Sequence, residues 1–262
     1  MTGLVARGVT LVLGGRTVLH EAGVAVAPGE VVGVIGPNGA GKSTLLRALA
    51  GIQRPDKGEV MLEGRELAGM TPGDRARRLS FLPQEGEPTP PMRVEDLVAL
   101  GRLPHRAARD GARDRAAVDR ALAETGLLDL RDRPASQLSG GERARLRLAR
   151  ALAVEASFLL ADEPVAALDP AHALAVMASF DRLGRAGVGV AVVLHDLTLA
   201  GRFCHRLVLM RDGRVVAQGT AAEILTDATM RAVYGVTVRR VGDAIVPWSL
   251  TGGCQADEQR VS

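Results

Sequence analysis

Residues 36–44 read Gly36, Pro37, Asn38, Gly39, Ala40, Gly41, Lys42, Ser43, Thr44. They match G-x-x-x-x-G-K-[ST], a loop whose chemistry is phosphate binding. The three glycines let the backbone wrap closely around phosphate oxygens and turn N–H groups inward. A helix opening near Lys42 adds the positive end of its dipole. Lys42 can reach β- and γ-phosphates, and the Ser43 hydroxyl can ligate Mg²⁺. The loop reads as a nucleoside triphosphate site. It does not choose among kinase, GTPase and ATPase.

Two further places carry reactive groups. Residues 158–164, FLLADEP, end an apolar run on Asp162 and Glu163. Carboxylates at the carboxyl end of a buried strand sit where an α/β sheet places its ligands. Asp162 can hold Mg²⁺, and Glu163 can polarise an attacking water. His195 follows the apolar run 187–194 and so faces the same crevice, where an imidazole can stabilise a transferring phosphoryl group. A core-edge histidine is the plainer reading of His195 alone.

Residues 138–142 read LSGGE, followed by RARLRLARALA. Ser139 is placed as a helix N-cap, with Glu142 closing a capping box. Gly140 and Gly141 weaken a helix start, so they need another reason. Bare amides at a helix N-terminus form a second anion site. One chain thus carries two phosphate-binding helix starts, about 100 residues apart by the numbering of the two motifs.

These residues need elements to position them. Short strands are expected at Val9–Leu13, Val18–His20 and Val24–Val26, with turns at 14–15 and 28–29. Glu30–Ile35 reads as a buried parallel strand, leading through the loop into a helix over Lys42–Ala50. Strands follow at Gly58–Leu62 and Leu79–Leu82. From about 86 to 155 helical patterns dominate, at 94–101, 113–126 and 141–153, with no strand signal. That stretch reads as a helical lobe inserted into an α/β domain. A strand at Ser157–Ala161, a helix at 171–185, a strand at Gly187–Leu194, a hairpin at 206–218 and helices at 220–225 and 227–233 complete the pattern. Residues 1–250 are read as one unit and 251–262 as a flexible tail.

Composition bounds the rest. The 262 residues are 47% hydrophobic but only 2% aromatic, so the core is aliphatic and no aromatic platform exists for single-stranded nucleic acid. Lys plus Arg exceed Asp plus Glu by three, which does not call for DNA or RNA as a partner. Cys204 and Cys254 are too few for a metal-ligand set and fit a reducing compartment. No run reaches 18 apolar residues, and the N-terminus lacks a signal-peptide pattern, so a soluble cytoplasmic protein is expected.

Taken together, the loop, LSGGE and the acidic pair resemble the ATP-binding subunit of ABC transporters, over roughly residues 3–235. The resemblance implies a P-loop NTPase (RecA-like) α/β core, with a small antiparallel β region and the inserted helical subdomain. It implies an ATPase using ATP and Mg²⁺. Ser139, Gly140, Gly141 and Glu142 would form the signature motif that contacts ATP held by the opposite subunit of a homodimer. Gln84, in FLPQ, resembles a glutamine that senses Mg²⁺ and couples to the membrane subunit. Asp169, in AALD, resembles an aspartate at the dimer interface, and His195 a switch histidine. Ser43, Gln84 and Asp162 would attend the metal. Lys42, Gln84, Glu163 and His195 would carry catalysis.

The chain departs from the family at several positions. Leu13 stands where an aromatic ring usually stacks on adenine. Val165 and Ala166 replace residues that are commonly Thr and Ser, and Arg143 replaces a common Gln. GRLPHR (101–106), the stretch LHDLTLAGRF and Val233-Tyr234-Gly235-Val236 resemble subunits of iron-siderophore, haem and cobalamin importers. The cargo expected from this is an iron-siderophore or related metal chelate, with haem, cobalamin or another transporter substrate as the alternative. A soluble, non-transport ABC ATPase is a further alternative. The partners implied are two transmembrane permease subunits and, indirectly, a periplasmic or surface binding protein. The chain itself would lie peripherally on the cytoplasmic face of the membrane.

Overall fold

A computed structural model describes residues 3–84, 91–108, 110–166, 168–242 and 244–251. The expected tail, apart from Thr251, and the first residues of the expected lobe lie outside these. The chain opens on β1 (Leu4–Leu13) and β2 (Arg16–Val26), then β3 (Val31–Ile35), α1 (Lys42–Leu49), β4 (Lys57–Leu62) and β5 (Arg65–Glu66). Next come α2 (Pro72–Arg78), β6 (Leu79–Leu82), α3 (Val94–Ala99), α4 (Gly111–Glu124) and α5 (Gly140–Leu152). The third quarter holds β7 (Phe158–Asp162), α6 (Pro170–Arg185), β8 (Gly189–Val193) and α7 (Leu197–Phe203). The chain closes with β9 (Arg206–Arg211), β10 (Arg214–Gly219), α8 (Ala221–Ile224), α9 (Asp227–Tyr234), β11 (Val236–Val241) and β12 (Ala244–Leu250).

The central sheet runs β10-β9-β3-β8-β7-β6. Its strands β9, β3, β8, β7 and β6 are parallel, and only the edge strand β10 is antiparallel. Every residue of β3, β7 and β8 is buried, which is why these strands read as unbroken apolar runs. Side chains still alternate. Val32 and Val34 pack with α1 and the antiparallel sheet β2-β1-β4-β5, whereas Val31 and Ile35 pack with α5, α6 and α7 on the other face.

A third apolar cluster binds α3, α4 and α5 into the helical lobe through Val94, Val98, Leu122, Leu127, Leu146 and Ala149. Among its described residues this lobe contains no strand, only the isolated bridge Arg93–Pro134. α5 belongs to both bodies. Leu146 and Ala149 face the lobe, while Leu148 and Ala151 join the core on the sheet.

Some boundaries differ from the sequence reading. The two short strands expected at 18–20 and 24–26 are one strand, because pairing with β1 continues past Gly23. The helix expected over 94–101 ends at Ala99 and continues as a 3-10 run, Leu100–Ala108, that contains Pro104. β11 and β12 form a separate two-stranded sheet. Pro247 sits inside β12, where a narrow ribbon leaves room for a residue that cannot donate.

Candidate functional site

The loop 36–41 connects the carboxyl end of β3 to α1. Gly36 has φ +150°, and a Cβ there would lie 2.2 Å from the Met210 carbonyl oxygen. No side chain fits where this loop leaves the sheet. Lys42 folds back under the loop. Its Nζ donates to the carbonyls of Gly36 at 2.8 Å and Pro37 at 3.0 Å. Burial pushes the Lys42 ammonium below its ordinary pKa, and the nearby charges of Glu163 and Asp162 work the other way. The lysine is thus pre-placed as a cation at the floor of the loop.

Asp162 ends β7 and is fully buried. Its Oδ1 accepts a hydrogen bond from the Ser43 hydroxyl at 2.9 Å, and its Oδ2 has no partner among the described residues. Burial holds the Asp162 carboxyl above the usual range; the Ser43 bond opposes this and the Glu163 charge adds to it. A buried carboxylate oxygen left unpaired costs free energy unless a cation meets it. Ser43 and Asp162 therefore present hard oxygen donors that fit Mg²⁺.

Glu163 follows with φ +50°, the left-handed region that non-glycine residues seldom adopt. This turn carries its carboxylate out of the strand line and into the cleft. There Oε2 accepts from Gln84 Nε2 at 2.7 Å, and Oε1 lies 2.6 Å from His195 Nε2. A carboxylate oxygen only accepts, so the imidazole hydrogen in this pair is on Nε2. Gln84 comes from the end of β6, and His195 from the end of β8. Three neighbouring strands thus deliver Gln84, Asp162-Glu163 and His195 to one edge of the sheet.

These groups enclose an open cleft of about 550 Å³ lined by Val18, residues 38–44, Gln84, Glu163 and His195. Leu13 is not among them; it ends β1, half exposed and paired with Arg16. Val18 had no signal in the sequence. Neither did the approach of Tyr234, whose hydroxyl lies beside the Gly36 amide. Burial pushes that phenol up to about 12, although the Gly36 amide pulls the other way.

The LSGGE residues do not line the cleft. Ser139 caps α5, accepting from the Glu142 amide at 3.2 Å, while Glu142 Oε2 accepts from the Ser139 amide at 2.7 Å. The expected capping box is present. Gly140 is exposed, and a Cβ there would meet nothing within 4 Å. Nothing among the described residues explains that glycine. A Cβ on Gly141 would meet only Leu168, at 3.9 Å. Arg143 donates to the Leu138 carbonyl at 2.7 Å and steadies the approach to Ser139. Asp169 caps α6, accepting from the His172 amide at 3.0 Å, with His172 Nδ1 2.5 Å from its other oxygen. Those bonds to His172 hold the Asp169 carboxyl below its usual range.

Comparison with known proteins agrees with this geometry. The family model described as ABC transporter matches residues 19–166. The chain is 44% identical over 240 residues to the hemin import ATP-binding protein HmuV of Pseudomonas putida, covering 90% of this chain and 93% of that protein. It is 44% identical over 229 residues to the HmuV of Streptomyces coelicolor, covering 87% and 82%. A solved dimeric structure of a bacterial ABC transporter cassette superposes with a TM-score of 0.75 at 28% identity, covering 83% of this chain and 98% of that one. The loop, the buried acidic pair and this kinship lead to one conclusion: the chain belongs to the ABC transporter family, as an ATP-binding and ATP-hydrolysing subunit.

Proposed function

We propose that two copies of this chain close on two ATP·Mg²⁺, each held between the Lys42 loop of one copy and the LSGGE helix start of the other, and that this closure powers an importer of haem. The observation that carries the reading is the separation within one chain. Lys42, Ser43, Asp162, Glu163, Gln84 and His195 converge on the cleft, while Gly140 and Gly141 lie outside it, the Cβ position of Gly140 open and that of Gly141 no closer than 3.9 Å to Leu168.

In this reading Lys42 exchanges its two carbonyl partners for phosphate oxygens when nucleotide enters. Ser43, Asp162 and Gln84 would hold the Mg²⁺. The ion, when bound, supplies charge neutralisation along the phosphate oxygens. Glu163, each of whose oxygens can accept a second hydrogen bond beside Gln84 or His195, orients water for in-line attack. His195 then directs its Nε2 hydrogen to the transferring phosphoryl group. Asp169 meets the partner across the interface. No covalent intermediate on the protein is required.

Among the described residues, no helix is long and apolar enough to cross a membrane. In this reading the chain works peripherally, on the cytoplasmic face, against two permease subunits that a substrate-binding protein serves indirectly. Residues 1–250 act as one ATP-binding unit. The names of the similar proteins from P. putida, S. coelicolor and Bordetella pertussis favour haem over the iron-siderophore chelates expected from sequence. The test is reconstitution of the chain with its permease and binding protein in liposomes. Haem-loaded binding protein should raise ATP hydrolysis and drive uptake. Stimulation by a ferric siderophore and none by haem would overturn the cargo.

A further inference from the structure

The segment 101–106, GRLPHR, plays no part in the cleft. It lies in the 3-10 run after α3 and packs against the far end of α5, the helix that begins at LSGGE. The last carbonyls of a helix have no partner within it. Here side chains take up the Ala151 carbonyl of the last turn and the carbonyls of Ala153 and Val154 just beyond it. Arg102, almost wholly buried, donates to the Ala153 carbonyl at 2.8 Å and the Val154 carbonyl at 3.3 Å. Its Nη1, which makes both of those bonds, also lies 3.1 Å from Glu155, and its Nε donates to Asp114 at 2.8 Å. His105 Nε2 lies 2.9 Å from the Val154 carbonyl and so carries the hydrogen. Gly101 lies so close that a Cβ would stand 2.3 Å from the Arg150 carbonyl. From the other side, Ser80 of β6 donates to the Ala151 carbonyl at 2.8 Å.

We propose that Gly101, Arg102 and His105 clamp the C-terminal end of α5 and thereby set the pose of Ser139, Gly140 and Gly141 at its other end. They are positioning residues for the ATP that a second copy brings. The inference rests on the cross-subunit reading above. α5 has 13 residues, so it is a rod of about 20 Å. A tilt of about 10° at the clamped end moves the LSGGE end by about 3 Å, beyond the tolerance of a hydrogen bond to phosphate. Misplacement of about 1 Å already costs about 100-fold where reacting groups must meet. Arg77 of α2 donates to the Pro104 carbonyl at 3.3 Å, so the clamp is also tied to the body that carries the Lys42 loop. The clamp explains why this segment combines a glycine, an arginine and a histidine without any of them reaching the nucleotide.

The experiment uses the full chain carrying Glu163→Gln, with ATP-driven dimerisation followed by light scattering. Monomer affinity for a fluorescent ATP analogue is measured at high dilution. His105→Leu removes one hydrogen bond at a half-buried position, so the fold survives. It should raise the chain concentration needed for dimerisation about fivefold, the worth of one lost hydrogen bond, and leave monomer affinity for the analogue within about twofold. His105→Gln, which keeps a donor near Nε2, should restore dimerisation. Arg102→Lys, which keeps the charge but loses the planar fork, should weaken dimerisation at least as much as His105→Leu. If both His105→Leu and Arg102→Lys dimerise like the parent while Ser139→Arg does not, the clamp is refuted and the sandwich stands. If Ser139→Arg also dimerises like the parent, the sandwich reading falls and the clamp falls with it. Equal losses of analogue binding and dimerisation in His105→Leu would mark a general structural defect and refute the positioning role.

Discussion

His195 Nε2 stands 2.6 Å from Glu163 Oε1, across 32 residues of sequence. With Gln84 on the other oxygen at 2.7 Å, each carboxylate oxygen of the candidate base has one protein partner and keeps a second lone pair for water. Those two contacts fix the plane of the Glu163 carboxylate and so the directions in which it can accept a hydrogen bond from water.

The first expectation concerns that carboxylate. Glu163→Gln keeps the shape and removes the charge. ATP binding should persist, because Lys42 and the loop are untouched, and the closed dimer should accumulate. Steady-state hydrolysis should fall by about 10²–10⁴. Equilibrium binding and phosphate release together check this, and unchanged phosphate release would rule out the assigned role.

A second expectation separates folding from turnover at LSGGE. Gly140→Ala adds a methyl that meets nothing among the described residues and favours helix by up to about 1 kcal/mol. The thermal midpoint should hold or rise. Hydrolysis should drop at least about tenfold, because the methyl intrudes where a partner's phosphate must approach. A variant that is both stable and fully active would remove Gly140 from the composite site.

The buried carboxyl of Asp162 gives a pH signature. Its folded pKa is raised by burial, so between the ordinary carboxylate value and the raised one the folded chain keeps a proton that the unfolded chain has lost. In that window folding binds more protons, and metal-free stability falls as pH rises. Mg²⁺ needs the ionised form, so the Mg²⁺ concentration required for activity should increase as pH drops through the raised value. Asp162→Asn should flatten this dependence and raise the metal-free midpoint near pH 7, by relieving an unpaired buried charge. Turnover should fall by about 100-fold or more. Thermal melts with chelator and Mg²⁺ titrations at several pH values would check both halves.

At the loop entrance, Gly36→Ala forces a methyl to 2.2 Å from the Met210 carbonyl. Either β9 shifts or the loop opens, so both stability and nucleotide affinity should decline, stability by about 1–3 kcal/mol. Denaturant unfolding and nucleotide titration on the same preparation measure the two effects. Retention of both would mean the close approach is not needed.

Much of this was legible in the residues themselves. β3, β7 and β8 read clearly because burial on both faces leaves unbroken apolar runs. The Ser139–Glu142 box read clearly because capping is local chemistry. α2 was invisible because none of its residues is buried, so no apolar period exists to find. α7 was missed because only Leu197 and Ala200 are buried in seven residues. The mutual contacts of Gln84, Glu163 and His195 depend on the strand order β8-β7-β6, and Tyr234 reaches Gly36 only through packing of α9. Neither has a local signature. The arginine and histidine of 101–106 could be singled out by resemblance, but their target is the far end of another helix.

The most direct measurement is the ATP hydrolysis rate per chain as a function of chain concentration, with molar mass recorded in the same samples. A shared site requires the rate per chain to rise steeply at low concentration and level off as the mass reaches that of two copies. A rate per chain that stays at its full value in samples whose mass is that of a single copy would contradict it.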